Sequence, residues 1–367
     1  TAGEPFEYGL LVRNDSPRAQ KGLSIQEDFA AGFPTLEQFR LAPEPDPTRN
    51  RVDRWLGYYR FAWLTERLRN GRAEITSLPL LAANGDTRAR AVLTPLARGV
   101  VRLSGVGIAR PDPLNLVRAW QWLDAPAAVT VLPRRYLLPA LALPGARRYQ
   151  QGGVSLASSV GDSEEFMGLR DYRPGDPMSR VHWKSFARVG YPVVREFHDE
   201  FFERHALVLD CAALDAPAAV FEEAVSVAAS FVWTLDTRDC LLDLLFVGER
   251  AHRYTAGRGQ MQSEHLLEVL AGVQAQAPRS LDELRRTVLG HESTLTSAIV
   301  VLAGWNDAKQ SLVDEMRRRG TTVLALAVTP DGDGAALPPG TQRLRVGHIA
   351  TDLVAAFSAP LAGMPKT

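Results

Sequence analysis

The chain has 367 residues, enough for two domains that each bury a core of their own. Hydrophobic residues make up 46% and charged residues 23%, an ordinary globular balance. Lys and Arg number 42 and Asp and Glu 42, so the formal net charge is +0. The whole chain therefore has no long-range attraction to nucleic acid or to an acidic membrane, and any such binding must come from a local patch. No apolar run approaches the roughly 20 residues of a transmembrane helix. Cys211 and Cys240 fall in or beside apolar runs and read as buried thiols, not as a disulfide framework.

From the start, residues 5–13 alternate loosely and stop at Asn14-Asp15-Ser16-Pro17, a turn-forming cluster. Residues 41–53 are rich in Pro, Arg and Asp and read as a loop. The aromatic stretch 55–63 reads as a strand, and 65–70 as a helical turn. Stretches 71–81, 89–96, 99–109 and 127–132 read as further short strands, broken by Arg110-Pro111-Asp112-Pro113 and by Pro133. Such spacing suggests an all-β sandwich over residues 1–135. This part contains no histidine and no cysteine, so metal-ligand spacing is absent from it. Residues 136–164, with Pro, Gly, Gln and Ser clusters, read as a linker.

Residues 205–367 change character. Residues 206–210 form a short apolar run ending in Asp210, and 241–247, 296–303 and 322–328 are similar buried strands. Between them, 218–235, 263–275, 281–289 and 307–319 have helical spacing; Ser263 and Ser280 are candidate N-caps, and Gly320 is a stop. A strand at 342–346 and a helix at 349–357 close the chain. This alternation implies a mainly parallel, doubly wound sheet, whose ligands would bind at the carboxyl ends of its strands. Asp210 and Asp307 fall there.

Between these parts, residues 165–204 are the least generic stretch. From 170 to 195 it holds Arg170, Arg173, Arg180, Lys184, Arg188 and Arg195 against Asp171 and Asp176, with Tyr172, His182, Trp183, Phe186 and Tyr191 interleaved. Pro174-Gly175-Asp176-Pro177 is a turn, 180–188 a short helix capped by Ser179 and ended by Gly190, and 191–197 a strand. Guanidinium groups among aromatics suit phosphates and stacked bases, so single-strand nucleic-acid binding is one reading. The competing reading has the arginines paired to nearby acids and Trp183 filling the seam between the two halves. Catalysis has less support. His182 lies near Ser179 and Ser185, but no nucleophile elbow, Walker loop or His-Glu-x-x-His occurs, and Gly257-Arg258-Gly259 lacks a dinucleotide pattern.

Arg170-x-Tyr172-Arg173-x-Gly175-Asp176, Arg180-x-His182-Trp183-Lys184-x-x-Ala187-Arg188 and Val194-Arg195-Glu196 resemble the signature of the family called domain of unknown function 58. Phe186 stands where that signature usually has Ser or Thr. Arg98-Gly99-Val100-Val101-Arg102-Leu103 and Arg110-Pro111-Asp112-Pro113 resemble its upstream strand and turn. The resemblance implies a multi-domain β plus α/β chain, an N-terminal β-sandwich-like domain followed by a von Willebrand factor A-like doubly wound sheet. In that A-like family a divalent metal sits on Asp-x-Ser-x-Ser. Here Asp210-Cys211-Ala212-Ala213-Leu214 keeps the aspartate but neither hydroxyl, so no cofactor is expected beyond a weak divalent metal at Asp210 and Asp307. The chain opens on Thr1 without Met, and the resemblance implies transmembrane helices ahead of it, with the soluble region on the cytoplasmic side of an inner membrane. It also implies, by association, work alongside a MoxR-type AAA+ ATPase and a transglutaminase-like membrane protein. The expectation is a non-enzymatic protein-interaction or adaptor module. Arg170, Tyr172, Arg173, Asp176, Arg180, Trp183, Lys184 and Arg188 are its interdomain core or docking surface, and metal-dependent ligand binding is the alternative.

Overall fold

The computed structural model describes residues 1–46, 48–139, 165–176, 178–198, 203–235, 240–257, 260–277, 280–291 and 295–358. Of the expected linker, 136–139 are described and the rest lies outside the described residues.

The first part begins with β1 (Phe6–Arg13) and β2 (Ser24–Phe29), followed by three helices, α1 (Leu36–Leu41), α2 (Arg51–Leu56) and α3 (Tyr58–Arg69). Then come β3 (Gly71–Ala73), β4 (Thr76–Ser77), β5 (Asp86–Pro95), β6 (Gly99–Pro111) and β7 (Arg118–Val131). The strands form two antiparallel sheets, ordered β1-β5-β3 and β4-β2-β6-β7. Alternation at period two gives each sheet an apolar face. Tyr8, Ala73 and Leu93 of one sheet meet Phe29, Val101, Leu103 and Val131 of the other, while Leu10, Val12 and Ala89 meet Ile25, Val106 and Ile108. Tyr8 also donates its hydroxyl to Glu27 across the layers at 2.5 Å. Burial raises both groups above their ordinary pKa, and the neighbouring carboxylate raises Tyr8 further.

The aromatic stretch 55–63 is helical, not a strand. Asn50 caps α2 by accepting from Asp53 N at 2.7 Å, and Gly57, at φ +67°, ends α2 and starts α3. The aromatic density there marks an outer surface, not a pleated face. The expected loop 41–53 shrinks accordingly, because α1 ends at Leu41 and α2 starts at Arg51. The expected strand 71–81 splits between the two sheets as β3 and β4, and β7 starts nine residues before the expected 127.

Residues 165–198 form a separate unit of β8 (Glu165–Asp171), a 3-10 turn at Met178–Arg180, α4 (Trp183–Val189) and β9 (Val193–His198). After it come β10 (Glu203–Leu209), α5 (Ala218–Thr234), β11 (Cys240–Val247), β12 (Ala251–Ala256), α6 (Gln260–Gly272), α7 (Ser280–His291), β13 (Ser297–Ala303), α8 (Asp307–Arg318), β14 (Thr322–Thr329), β15 (Thr341–Arg345) and α9 (Ile349–Ser358). The six strands are ordered β12-β11-β10-β13-β14-β15, all neighbours parallel except β11 and β12. Numbered from its own first strand, this order is 3-2-1-4-5-6, a doubly wound sheet. Leu207 and Leu209 face α5, α6 and α9, and Ala206 and Val208 face α7 and α8. Ser263 lies inside α6, which starts at Gln260, and so does not cap it. The antiparallel β12 escapes sequence reading because its alternation, Ala251 to Ala256, is that of an exposed edge.

Candidate functional site

The signature segment folds on itself. β8 and β9 pair antiparallel, with Asp171 opposite Val193 and Arg170 opposite Val194. Tyr172 N donates to Pro192 O at 3.0 Å, and Asp176 N closes the turn on Arg173 O at 3.0 Å, with Gly175 at φ +108°. Arg170 holds the Asp176 carboxylate by a two-pronged pair, Nη1 to Oδ2 and Nη2 to Oδ1, each 2.7 Å. Arg173 N adds a third bond to Oδ2 at 2.8 Å. These partners, Arg170 first, pull the Asp176 carboxyl down to about 2. Val181 bridges Val194, and His182 N donates to Val193 O at 2.8 Å, so α4 starts against the hairpin. His182 Nδ1 lies 2.7 Å from Ser185 Oγ within the first helical turn. Among the described residues no carboxylate orients the ring, so the pair has the geometry of a local helix-start contact.

Seven of the eight expected residues separate into two sets. Arg170 and Asp176 build the turn, and Tyr172 is half-buried beside it. Arg173, Trp183, Lys184 and Arg188 are exposed, and no ion pair is made by the three cations among the described residues. The Arg180 side chain lies outside the described residues. Trp183 is 56% exposed and meets Phe186 edge-on at 6.0 Å, in its own helix. It is not buried in a seam, and among the described side chains of 169–194 none belongs to the apolar clusters of either half.

The halves meet elsewhere. Arg98, at the turn between β5 and β6, is 7% exposed. It donates Nε to Leu270 O at 3.3 Å and Nη2 to Val273 O at 2.5 Å, pairs with Glu222, and stacks over Phe221 at 5.2 Å. Those partners are the last turn of α6, the residue following it and the start of α5. After β7, Tyr136 N donates to Ser230 Oγ at 2.8 Å and its hydroxyl to Glu223 at 2.5 Å. Leu132 and Leu138 pack on the core of the α/β part. Arg98 was quoted in the sequence signature, but nothing in its neighbours tells that it reaches across.

A second site lies at the carboxyl ends of β10 and β13, the crevice where a doubly wound sheet changes direction. Asp210 is fully buried there. It accepts from Ala212 N at 2.8 Å and Ala303 N at 3.3 Å. Facing it is Lys309, 5% exposed, with Nζ 2.7 Å from Oδ2 and a further bond to Ala303 O. Burial pushes the Asp210 carboxyl above its ordinary range, and the ammonium opposes that. Asn306 caps α8 by accepting from Lys309 N at 3.0 Å, while Asp307 is exposed and does not join Asp210. Among the described residues no group of three or more His, Cys, Asp or Glu could hold a metal ion. Adjacent Cys211 is buried, and burial, then the Asp210 charge, drives its thiol up to about 12. Sequence reading missed Lys309, although a cation in the first turn of a helix opposes the helix dipole and so needs a local anion. It also missed buried Asp243, which accepts from Arg204 Nε at 2.7 Å, Arg253 Nη2 at 3.0 Å and Thr255 Oγ1 at 2.5 Å, pinning β10, β11 and β12.

Together these features define a mixed α/β protein with several sheets, one of them doubly wound, a closed strand-end crevice and an exposed Arg/Trp unit. The family model described as "Protein of unknown function DUF58" matches residues 168–351, just over half of the chain, and the chain belongs to that family. It is similar to the Bacillus subtilis (strain 168) protein described as "Uncharacterized protein YeaD", at 25% identity over 214 residues. That match takes in 58% of this chain and 52% of the relative, so the chain spans about half the relative's length. Against a solved GH20 exo beta-N-acetylglucosaminidase from Vibrio harveyi, the identity is 13%, with 95% of this chain and 57% of that chain covered. The TM-score of 0.18 is too low for a shared fold, and nothing about activity follows from it.

Proposed function

We propose that the chain is a non-enzymatic interaction or adaptor module that docks a protein partner on the outward side of the β8–α4–β9 unit. One observation carries this reading. Arg173, Lys184 and Arg188 stand exposed without ion-pair partners among the described residues, beside a half-exposed Trp183, on a unit braced by the Arg170–Asp176 pair. Unpaired cations around an aromatic anchor, held on a rigid support, suit an acidic protein face. We assign the partner to the MoxR-type AAA+ ATPases, with a transglutaminase-like membrane protein as a further associate, on the strength of the resemblance alone. We also propose membrane attachment through a segment outside this chain, with this region on the cytoplasmic side.

Two facing antiparallel sheets support a β-sandwich-like first domain, and the 3-2-1-4-5-6 order with an antiparallel third strand supports a von Willebrand factor A-like last domain. Metal-dependent binding at Asp210 gains no support, because the Lys309 ammonium already neutralises the carboxylate that a divalent cation would need.

A pull-down with the AAA+ ATPase tests the docking face. Wild-type chain should retain the ATPase, and Arg173→Glu/Lys184→Glu should lose it with an unchanged circular dichroism spectrum. Equal retention by both would remove the proposal. Titration against a single-stranded oligonucleotide should be flat; a steep salt dependence that Arg173→Ala weakens would replace the protein partner by nucleic acid.

A further inference from the structure

The α1–α3 insert carries a surface that the docking face leaves unexplained. Leu36, Phe39, Leu56, Tyr58 and Phe61 line one open apolar groove of about 480 Å³. Leu36, Leu56 and Tyr58 are each more than 60% exposed, and Trp55, beside them on α2, is 84% exposed. A cluster of this kind is far from the scattered apolar exposure of an ordinary surface.

The charges around it lean positive: residues 36–69 hold seven arginines against Glu37, Glu44, Asp46, Asp53 and Glu66. Residues 51–69 hold Arg51, Arg54, Arg60, Arg67 and Arg69 against Asp53 and Glu66. Both acids are engaged elsewhere: Glu66 pairs with Arg72 at 2.8 Å, and Asp53 accepts from Asn50 at 2.9 Å. None of the five arginines has an ion-pair partner among the described residues. Three lie over rings instead: Arg60 over Phe39 at 4.2 Å, Arg67 over Trp63 at 4.8 Å and Arg69 over Phe33 at 4.9 Å. The Nε atoms of Arg60 and Arg69 are buried without an acceptor. The chain has no net charge, so this excess is local.

We propose that the insert binds the surface of an anionic lipid bilayer, with its arginines at the level of the phosphates and Trp55, Leu56 and Tyr58 entering the acyl boundary. Phosphates supply the counter-charge that the exposed Arg51, Arg54 and Arg67 lack. Interleaved Trp, Tyr, Leu and Arg are the composition of elements that lie in a membrane interface. The apolar side chains stand apart on three short helices around an open groove, which suits a deformable lipid surface better than the enclosed, fully desolvated pocket of a protein hot spot.

Co-sedimentation of the intact chain with vesicles tests this. Vesicles of equimolar phosphatidylcholine and phosphatidylglycerol should bind it on the order of tenfold more tightly than phosphatidylcholine alone, and salt should weaken the binding. Trp55→Ser/Leu56→Ser and Arg51→Gln/Arg54→Gln should each reduce binding by about tenfold or more, without altering the thermal melt, since all four side chains protrude. Arg173→Glu/Lys184→Glu should bind vesicles as wild type does, so the two surfaces fail separately. Equal binding to both vesicles, or variants that bind unchanged, would overturn the proposal. So would a dimer in sedimentation equilibrium that Trp55→Ser/Leu56→Ser abolishes, which would give the patch to a second copy of the chain.

Discussion

Lys309 and Asp210 are both buried and face each other as an ion pair at 2.7 Å. Removing one leaves the other buried without a counter-ion. Lys309→Met should therefore destabilise the chain by roughly 3–5 kcal/mol in urea unfolding, and Asp210→Asn/Lys309→Met should recover part of that loss. A double variant no more stable than the single one would show that Lys309 acts by packing instead. Asp176 gives a test by pH. Its folded pKa lies at about 2, below the ordinary 3.8, so its contribution is fully present above the unfolded value and is lost as pH falls through the folded one. Protection of the 165–198 unit against hydrogen exchange, taken relative to the intrinsic rate at each pH, should fall as pH drops from 3.8 toward 2, and Asp176→Asn should be less protected already at neutral pH. The Pro-Gly turn around Asp176 could be read from the sequence because its chemistry is local. The partner of Asp210 could not, because Lys309 is brought to it by the register of β10 and β13.

At the scale of elements, sequence pattern succeeded where burial is strong and failed where it is weak. β10, β11, β13 and β14 are continuous apolar runs because helices cover both sheet faces, and those runs were plain. The exposed edges β7 and β12 lack that signal, and the helices of the α1–α3 insert hide behind aromatic residues that usually favour strands. One close approach fixes the β6–β7 hairpin. Trp120 and Trp122 stack at 5.3 Å over Gly107, where an added Cβ would lie 2.5 Å from the Trp122 ring. Gly107→Val should cost about 1–3 kcal/mol and abolish the near-ultraviolet signal of the stacked indoles. An unchanged signal would mean that the rings can move aside.

Among the described residues the two halves are joined through Arg98 and Tyr136. Arg98→Ala removes two carbonyl contacts and the Glu222 pair from the junction, about 2–4 kcal/mol of coupling. Calorimetry should then resolve two transitions that approach each other in wild type; a single sharp transition in the variant would place the coupling elsewhere. With the junction made by other residues, the signature segment is left to present its cations and Trp183 outward. The most direct test is hydrogen exchange of the chain with and without the AAA+ ATPase. Protection should concentrate at residues 169–191 and vanish for Arg173→Glu/Lys184→Glu. Protection confined to the strand ends around Asp210, or no change on adding the ATPase, would contradict a docking role for that segment.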